Sequence, residues 1–442
     1  MVAGLVLALL QACGLLPRKT AEEPLPIQAT RTQAPNQFTF GGMQVVLQEQ
    51  RGNLVQFSIL LERPEGRADS PTQVFLDELL LRCLFNGGPE NLSPNAYANA
   101  LETNAMRMEY LHRPDYVGLQ VECLAKEFQD AWQLIAASLL TPKLDKARFV
   151  EIRTALIKEL QLRRKADPWH VADSHAVIGL FEGHPYAASR LANPAALGEL
   201  SHLQLLEHYD RAIGKNRLHF LLQGPISVDQ LATKFFGYLE ELQTLPGVPA
   251  APRIVVKDVS AGFHQAKNDK TNYVSGYFEA PEKYSTQGIA LQIGLEAIKR
   301  QLQQEVCYRR NLTCVFQVRY PTSRSPYGQL QFEAVLPNPT VRAVLEIIQR
   351  FRREGIPPAL LAQAKTQAIA NYYTRKEQPD IFLTEMADAH ISGQLEGWRK
   401  FPVLVEELTE TEVQKALKAH LLNIYWSYYG NTGAVGRGAF FQ

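Results

Sequence analysis

The chain has 442 residues, of which 46% are hydrophobic and 21% are charged, a balance typical of globular proteins. A chain of this length predicts two or three domains, each large enough to bury a core. Lys and Arg (46) nearly cancel Asp and Glu (45), so the charge balance gives no support to a nucleic-acid partner or a strongly charged substrate.

The first residues form an apolar segment that ends at a cysteine. The run MVAGLVLALLQA, residues 1–12, is about as long as the apolar region of a signal peptide and too short to span a bilayer. Ala12 before Cys13, with Leu10 three residues before it, resembles a bacterial lipobox, although Gln11 is unusual there and no Lys or Arg precedes the run. The sequence predicts a signal peptide over 1–12 and lipidation of Cys13; the alternative is an uncleaved apolar stub.

Residues 13–37 are rich in Pro, Thr, Ala and charged residues. This composition is typical of a flexible tether rather than of a folded core. A lipid anchor followed by a tether predicts a periplasmic lipoprotein, with the outer membrane as the expected place of anchoring.

Residues 38–243 carry clustered strand and helix patterns and are assigned to an N-terminal domain. Two strands joined by a turn at 51–53 come first. Helices over 72–85 and 93–102 follow, the second with Ser93 as its N-cap and a proline next. Two more strands, a helix over 128–140, a long helix over 144–164, further helical stretches and a strand over 217–227 complete the set.

Residues 244–253 form the predicted linker, because this stretch is rich in proline between two patterned regions. Residues 254–442 then repeat the earlier order, with strands near 254–259 and 273–278, a helix over 286–306, two strands, a helix, a long helical region over 358–392 and a final aromatic strand. Two similar halves predict an α+β fold of two homologous domains, each a mostly antiparallel sheet packed against helices.

Several stretches together resemble one protein family. They are PTQVFLDELLLRCLFNGG (71–88), FVEIRTALIKELQLRRKADP (149–168), GHPY (183–186), LSHLQLLEHYDR (200–211) and RQLQQEVCYRRNLTCVFQV (300–318). The chain resembles the pitrilysin/insulinase family of inverted-zincin metallopeptidases, in the single-unit form of bacterial proteins similar to the mitochondrial processing peptidase. The resemblance implies two homologous domains that form half of a clam-shell around a peptide chamber.

The family's zinc helix carries the motif H-x-x-E-H, in which two histidines bind zinc and the glutamate is the general base. The resemblance places Val74 at the first histidine, Asp77 at the base and Glu78 at the second histidine, with Glu159 at the downstream glutamate ligand. Valine cannot bind a metal, and carboxylates without imidazole favour hard cations over zinc. We therefore predict a non-catalytic member without a zinc cofactor, in which the three carboxylates form a degenerate polar cluster.

Two further histidines and four cysteines need an interpretation. His170 and His175 are five residues apart and do not share a helical face, which favours packing over metal binding. Cys83 and Cys123 lie in apolar surroundings and are expected in the core.

The other two cysteines occupy positions that carry a function in the family. The resemblance places Cys307 and Cys314 where partner subunits carry an Arg and a Tyr that hold the substrate. The chain thus matches neither the catalytic nor the substrate-holding subunit. The two cysteines either form a disulfide or remain two buried thiols, and we favour the thiols.

These features predict a non-catalytic envelope lipoprotein that binds proteins or peptides as a scaffolding subunit of a larger complex. The expected partners are a protein, through the chamber, and a membrane, through the lipid anchor, with no nucleic acid. One alternative is the inactive subunit of a heteromeric zinc peptidase paired with a catalytic paralogue. Another is an independent metallopeptidase.

Overall fold

The computed structural model describes residues 37–63, 73–187, 193–234, 237–239, 241–246, 254, 261–265 and 271–440. The predicted signal peptide, Cys13 and the tether up to residue 36 lie outside the described residues, as do residues 247–253 of the linker and the predicted strand at 255–259. Within the described residues, no helix is both long and apolar enough to cross a membrane.

The N-terminal sheet has six strands in the order β1-β2-β6-β3-β5-β4. Neighbouring strands are antiparallel except β2 and β6, which are parallel. The bounds of these strands are β1 Gln37–Phe40, β2 Met43–Glu49, β3 Leu54–Glu62, β4 Arg107–His112, β5 Tyr116–Leu124 and β6 Leu218–Gly224.

The C-terminal sheet has five strands in the order β7-β11-β8-β10-β9. Again one neighbouring pair, β7 and β11, is parallel and the others are antiparallel. The bounds are β7 Ala261–Gln265, β8 Asn272–Glu279, β9 Phe316–Arg319, β10 Tyr327–Ala334 and β11 Tyr425–Gly430. This order matches β2-β6-β3-β5-β4 strand for strand, so the internal repeat predicted from the sequence is present in the topology.

Helices follow the same repeat. Those of the first half are α1 Gln73–Gly87, α2 Pro94–Thr103, α3 Phe128–Leu140, α4 Lys146–Ala166, α5 His170–Leu180, α6 His202–Ala212 and α7 Val228–Lys234. Those of the second half are α8 Thr286–Leu302, α9 Pro337–Glu354, α10 Pro358–Lys376, α11 Pro379–Ile391, α12 Leu395–Arg399, α13 Phe401–Glu407 and α14 Glu410–His420. By their place between strands, α1, α3, α4 and α5 correspond to α8, α9, α10 and α11.

Each sheet packs one face against helices of its own half. In the first half, Trp132 of α3 lies edge-on to Phe57 of β3 and Phe220 of β6, with ring centroids 6.0 and 4.9 Å apart. In the second half, Leu302 and other apolar residues of α8 join Phe332 of β10 in the core. Buried aromatic contacts of this kind dominate core energetics because each ring removes a large apolar area from water.

The opposite face of each sheet is covered by a helix from the other half. Helix α5 of the first half packs on β8 and β11, and Asp173 accepts hydrogen bonds from Ser275, Gln329 and Gln331 at 2.5, 3.0 and 2.7 Å. At Gly179 any side chain would overlap the ring of Tyr425, so glycine is needed for this close approach.

Helix α11 of the second half packs in the same way on β3 and β6. Gln56 of β3 donates to Asp380 at 2.7 Å, and the ring nitrogens of His219 and His390 lie 2.9 Å apart. The two halves therefore exchange equivalent helices.

Three sequence predictions need correction. The segment predicted as two strands from Phe38 contains three, because Gly41 and Gly42 have positive φ and form a tight turn between β1 and β2. The helical region 358–392 is two helices, since Pro379 cannot continue α10 and instead begins α11. The helix predicted over 286–306 stops at Leu302 and continues as a π-helical turn, Gln303–Arg309.

Candidate functional site

Helix α1 is held in place by its apolar side. Leu79, Leu80 and Leu84 are fully buried, and the helix contacts β5, α3, α4 and α6. Val74 stands in the first turn of α1, but its side chain lies outside the described part of the structure. Asp77 and Glu78 are described, and each has a different set of partners.

Asp77 is held by two basic groups. Arg63 Nε donates to its Oδ2 at 3.0 Å, and His208 Nε2 lies 2.7 Å from Oδ1. Burial raises the pKa of Asp77, but the contacts with His208 and Arg63 outweigh it and the pKa ends below its ordinary value. Both carboxylate oxygens are engaged, so this group is poorly placed to take a proton from a water molecule.

Glu78 is 3% exposed, and it too is paired. Arg82 Nη2, one helical turn later, lies 2.9 Å from Oε1, and His112 Nδ1 of β4 lies 3.1 Å from Oε2. Burial raises the pKa of Glu78, yet the contacts with His112 and Arg82 lower it to about 2. The carboxylate is therefore ionised at neutral pH.

Arg82 also reaches Glu159 of α4, with Nη1 3.0 Å from Oε2. The structure thus brings Glu78 and Glu159 together, as the family resemblance implies, but one guanidinium contacts both carboxylates. That guanidinium also lies over the ring of Tyr110, 4.8 Å from its centroid, an attractive cation–π geometry. Arginine is always protonated in proteins, so a permanent organic cation sits where two carboxylates would otherwise face a metal.

The donor set does not fit zinc. Arg82 contacts both carboxylates, Arg163 also contacts Glu159, and Nδ1 of His112 lies 3.1 Å from Oε2 of Glu78. The part of the chain that the structure describes contains no group of three or more His, Cys, Asp or Glu side chains arranged to hold a metal ion.

Sequence reasoning missed Arg82 and His112. Arg82 lies four residues after Glu78 on one helix, a spacing at which opposite charges meet, so this partner was readable from the sequence. His112 lies on β4, 34 positions after Glu78, and its contact with Glu78 depends on how β4 packs beside α1.

A cleft of about 340 Å³ opens beside this charged cluster. It lies between α1 and α4 on one side and α5, β8 and β10 on the other, so both halves line it. Its walls are largely aromatic and basic; they include Phe75, His112, Arg163, Tyr186, Tyr277 and Tyr327.

Cys307 and Cys314 form a disulfide, with their Cα atoms 4.6 Å apart. The expectation of two free thiols was wrong, because the π-helical turn brings buried Cys307 back toward the exposed Cys314 just before β9. Cys83 and Cys123 are free and buried, as predicted, and burial raises the pKa of each thiol to about 12.

The two histidines of α5 do not form a shared site. His175 stacks on His264 of β7, with ring centroids 3.4 Å apart and an interplanar angle of 12°. Burial lowers the pKa of both rings, which keeps them neutral and suits stacking. This is the packing role expected for His175.

A family model described as the peptidase M16 inactive domain matches residues 199–368. This region, 170 of the 442 residues, is similar to the M16 peptidase inactive domain. A peptidase M16 inactive domain from Pseudomonas fluorescens has a similar structure, with a TM-score of 0.78 and 15% identity over 90% of this chain and 98% of that one. The coverage extends the M16 fold over both halves, and an identity this low shows the fold alone.

Two further solved structures are similar to this chain. A protease from Helicobacter pylori has a TM-score of 0.78 and 12% identity, covering 88% of this chain and 97% of that one. The periplasmic protease PqqL from Escherichia coli has a TM-score of 0.75 and 14% identity, covering 95% of this chain but only 48% of its own length. No curated protein matches the chain in sequence.

Proposed function

We propose that this M16-like chain is non-catalytic and binds protein or peptide segments as a subunit of an envelope complex, with a lipid on Cys13 as its membrane anchor. The observation that carries the non-catalytic part is Arg82, whose guanidinium pairs with both Glu78 and Glu159. A zinc ion would have to displace this cation and would then find no histidine pair at the family positions.

The fold supports peptide binding without a metal. Strands β4 and β9 are the last strands of their sheets, and the described residues place no strand beyond either one. An extended segment can pair with such an edge through main-chain hydrogen bonds, while side-chain pockets supply specificity. The aromatic cleft beside α1 offers a pocket of this kind next to β4.

Metal content and peptidase activity test the non-catalytic part. We expect the purified protein to contain no stoichiometric zinc and to leave unstructured peptides uncut, with or without chelator. A variant carrying Val74→His and Glu78→His is the matched control, since it restores two imidazoles at the family spacing and should bind zinc more tightly. One tightly bound zinc per wild-type chain, with chelator-sensitive cleavage, would overturn the proposal.

Purification from native membranes tests the partner. A co-purifying envelope protein without an H-x-x-E-H motif supports the scaffolding role, whereas recovery of this chain alone contradicts it.

The alternative is the inactive subunit of a heteromeric zinc peptidase. It is favoured by the length comparison, because the Escherichia coli protease is about twice as long as the region this chain covers, and a second subunit would supply the missing half. A co-purifying chain with an intact zinc motif would decide for this alternative.

A further inference from the structure

A second cavity lies in the C-terminal half, at the place that corresponds by the repeat to the α1 site. Its volume is about 580 Å³. Helices α8 and α10 and strand β9 line it, just as α1, α4 and β4 surround the charged cluster of the first half. Phe401 of α13 and Lys283, in the loop before α8, complete the wall.

The carboxylates at this cavity already have partners. Glu296 lies 3.4 Å from Arg300 on the next turn of α8, and Glu385 of α11 lies 2.6 Å from Arg375 of α10. Each therefore already offsets the charge of one arginine, although Glu385 also acts electrostatically on Lys283.

Three cations remain at the cavity: Lys283, Lys299 and Arg319. None of them forms a close ion pair with a carboxylate among the described residues, although Arg319 contacts the side-chain amide oxygen of Gln317 at 2.5 Å. Lys283 is partly buried and lies 5.4 Å from the ring centroid of Tyr284, while Lys299 and Arg319 are exposed. Burial lowers the pKa of Lys283, and the nearby carboxylates of Glu385 and Asp388 oppose this effect without reversing it. The cavity wall thus has an excess of positive charge, because its two carboxylates face four cations: Lys283, Lys299, Arg319 and Arg375.

Strand β9 places a free sheet edge beside this positively charged cavity. Its four residues pair with β10 along one edge, and no described residue pairs with the other edge. Val318 and Tyr320 line the cavity beside Arg319, so a chain lying along the outer edge of β9 would pass its mouth. The disulfide at Cys314, two residues before β9, fixes the start of this edge.

We propose that the cavity binds an acidic side chain, Asp or Glu, of an extended peptide segment that pairs with the outer edge of β9. The carboxylate would accept hydrogen bonds from Lys283 and Lys299, and the strand pairing would hold the peptide main chain. This inference rests on the proposed peptide-binding function and adds to it a location and a charge preference. Contacts between an ammonium and a carboxylate are among the stronger hydrogen bonds.

Binding of two matched peptide pools to the full chain tests the proposal. Both pools contain fluorescent nine-residue peptides with blocked ends and randomised flanks; one has a central Glu and the other a central Gln. We expect fluorescence anisotropy to show about tenfold tighter binding of the Glu pool, equal to about 1.4 kcal/mol. Lys283→Met should remove this preference, and Lys283→Arg should restore most of it. Lys415→Met, a change at an exposed lysine of α14, should leave it intact.

Equal binding of the two pools would overturn the inferred preference for an acidic side chain. A Glu preference that persists in both Lys283→Met and Lys299→Met would overturn it as well. Either result would leave peptide binding itself supported. Failure of either pool to bind would overturn the inference as well, and the native co-purification would then separately decide whether the proposed function survives. Binding of N-acetyl-glutamate amide as tight as that of the Glu pool would show a small-anion pocket and would contradict pairing with β9.

Discussion

The α1 site and the α8 cavity occupy equivalent places in the two halves, yet their charges are arranged in opposite ways. At α1 every described carboxylate faces a basic group, and Arg82 closes the space between Glu78 and Glu159. At α8 the carboxylates are paired with neighbouring arginines, and Lys283 and Lys299 are left facing an open volume. One backbone arrangement can therefore hold either a closed ion-pair network or an open cationic pocket, and the side chains alone decide which.

The largest expected effect comes from breaking the closed network. Arg82→Met leaves the buried carboxylate of Glu78 without its cation, and removing one partner of a buried pair destabilises a protein by about 3–5 kcal/mol. Denaturant unfolding should show a loss of about 4 kcal/mol. Arg107→Met is the control, because the pair of Arg107 with Glu122 is exposed and such pairs contribute at most about 1 kcal/mol. A loss no larger than that of the control would mean that the network does not stabilise α1.

The exchanged helix α5 gives the next largest effect. Asp173→Ala removes the acceptor of Ser275, Gln329 and Gln331, and a buried polar group left without a partner costs about 1–3 kcal/mol. We expect unfolding measurements to show a loss of about 3 kcal/mol. Hydrogen exchange should locate the change in β8 and β10, whereas a change confined to the N-terminal sheet would contradict the exchange of helices.

The disulfide Cys307–Cys314 is a second difference between the two regions, because the described residues of the α1 site contain no disulfide. Its loop is short, and the chain-entropy relation gives about 2.5 kcal/mol for a loop of about eight residues. Cys307→Ser combined with Cys314→Ser should lower the free energy of unfolding by that amount. A thiol count on the denatured, unreduced chain, leaving Cys13 aside, should give the two thiols of Cys83 and Cys123; four would rule the bridge out.

The smallest effect is expected on acidification. The pKa of Glu78 in the folded chain is about 2, against an ordinary value of 4.5, so its stabilising contribution is complete above about pH 4.5 and is lost as the pH falls toward 2. The linkage relation gives a loss of about 1 kcal/mol at pH 4 relative to pH 7. The contribution of Glu78 is isolated by measuring the free energy of unfolding against pH in the wild type and in Glu78→Gln. The same pH dependence in both proteins would contradict the pairing of Glu78.

The repeat and the place of α1 could be predicted from the sequence, because strand and helix periodicities record which face of an element is buried. The sequence signals for the first hairpin and for the break between α10 and α11 were also present. Gly41–Gly42 marks the turn of the hairpin, and Pro379 marks the break between the helices. The exchange of α5 and α11 could not be predicted, since an apolar helix face does not specify which sheet it covers. The Cys307–Cys314 bridge depends on the π-helical turn, a local departure from helical spacing that no periodicity reveals.

The exchange of α5 and α11 also bears on how the chain can be divided. Each half lends a helix to the other and would, if produced alone, expose the sheet face that the missing helix covers. A protease that cut between residues 244 and 253 would therefore yield two fragments that stay interlocked. The two repeats form one unit, so a truncation aimed at studying either pocket in isolation would uncover the opposite face of its sheet.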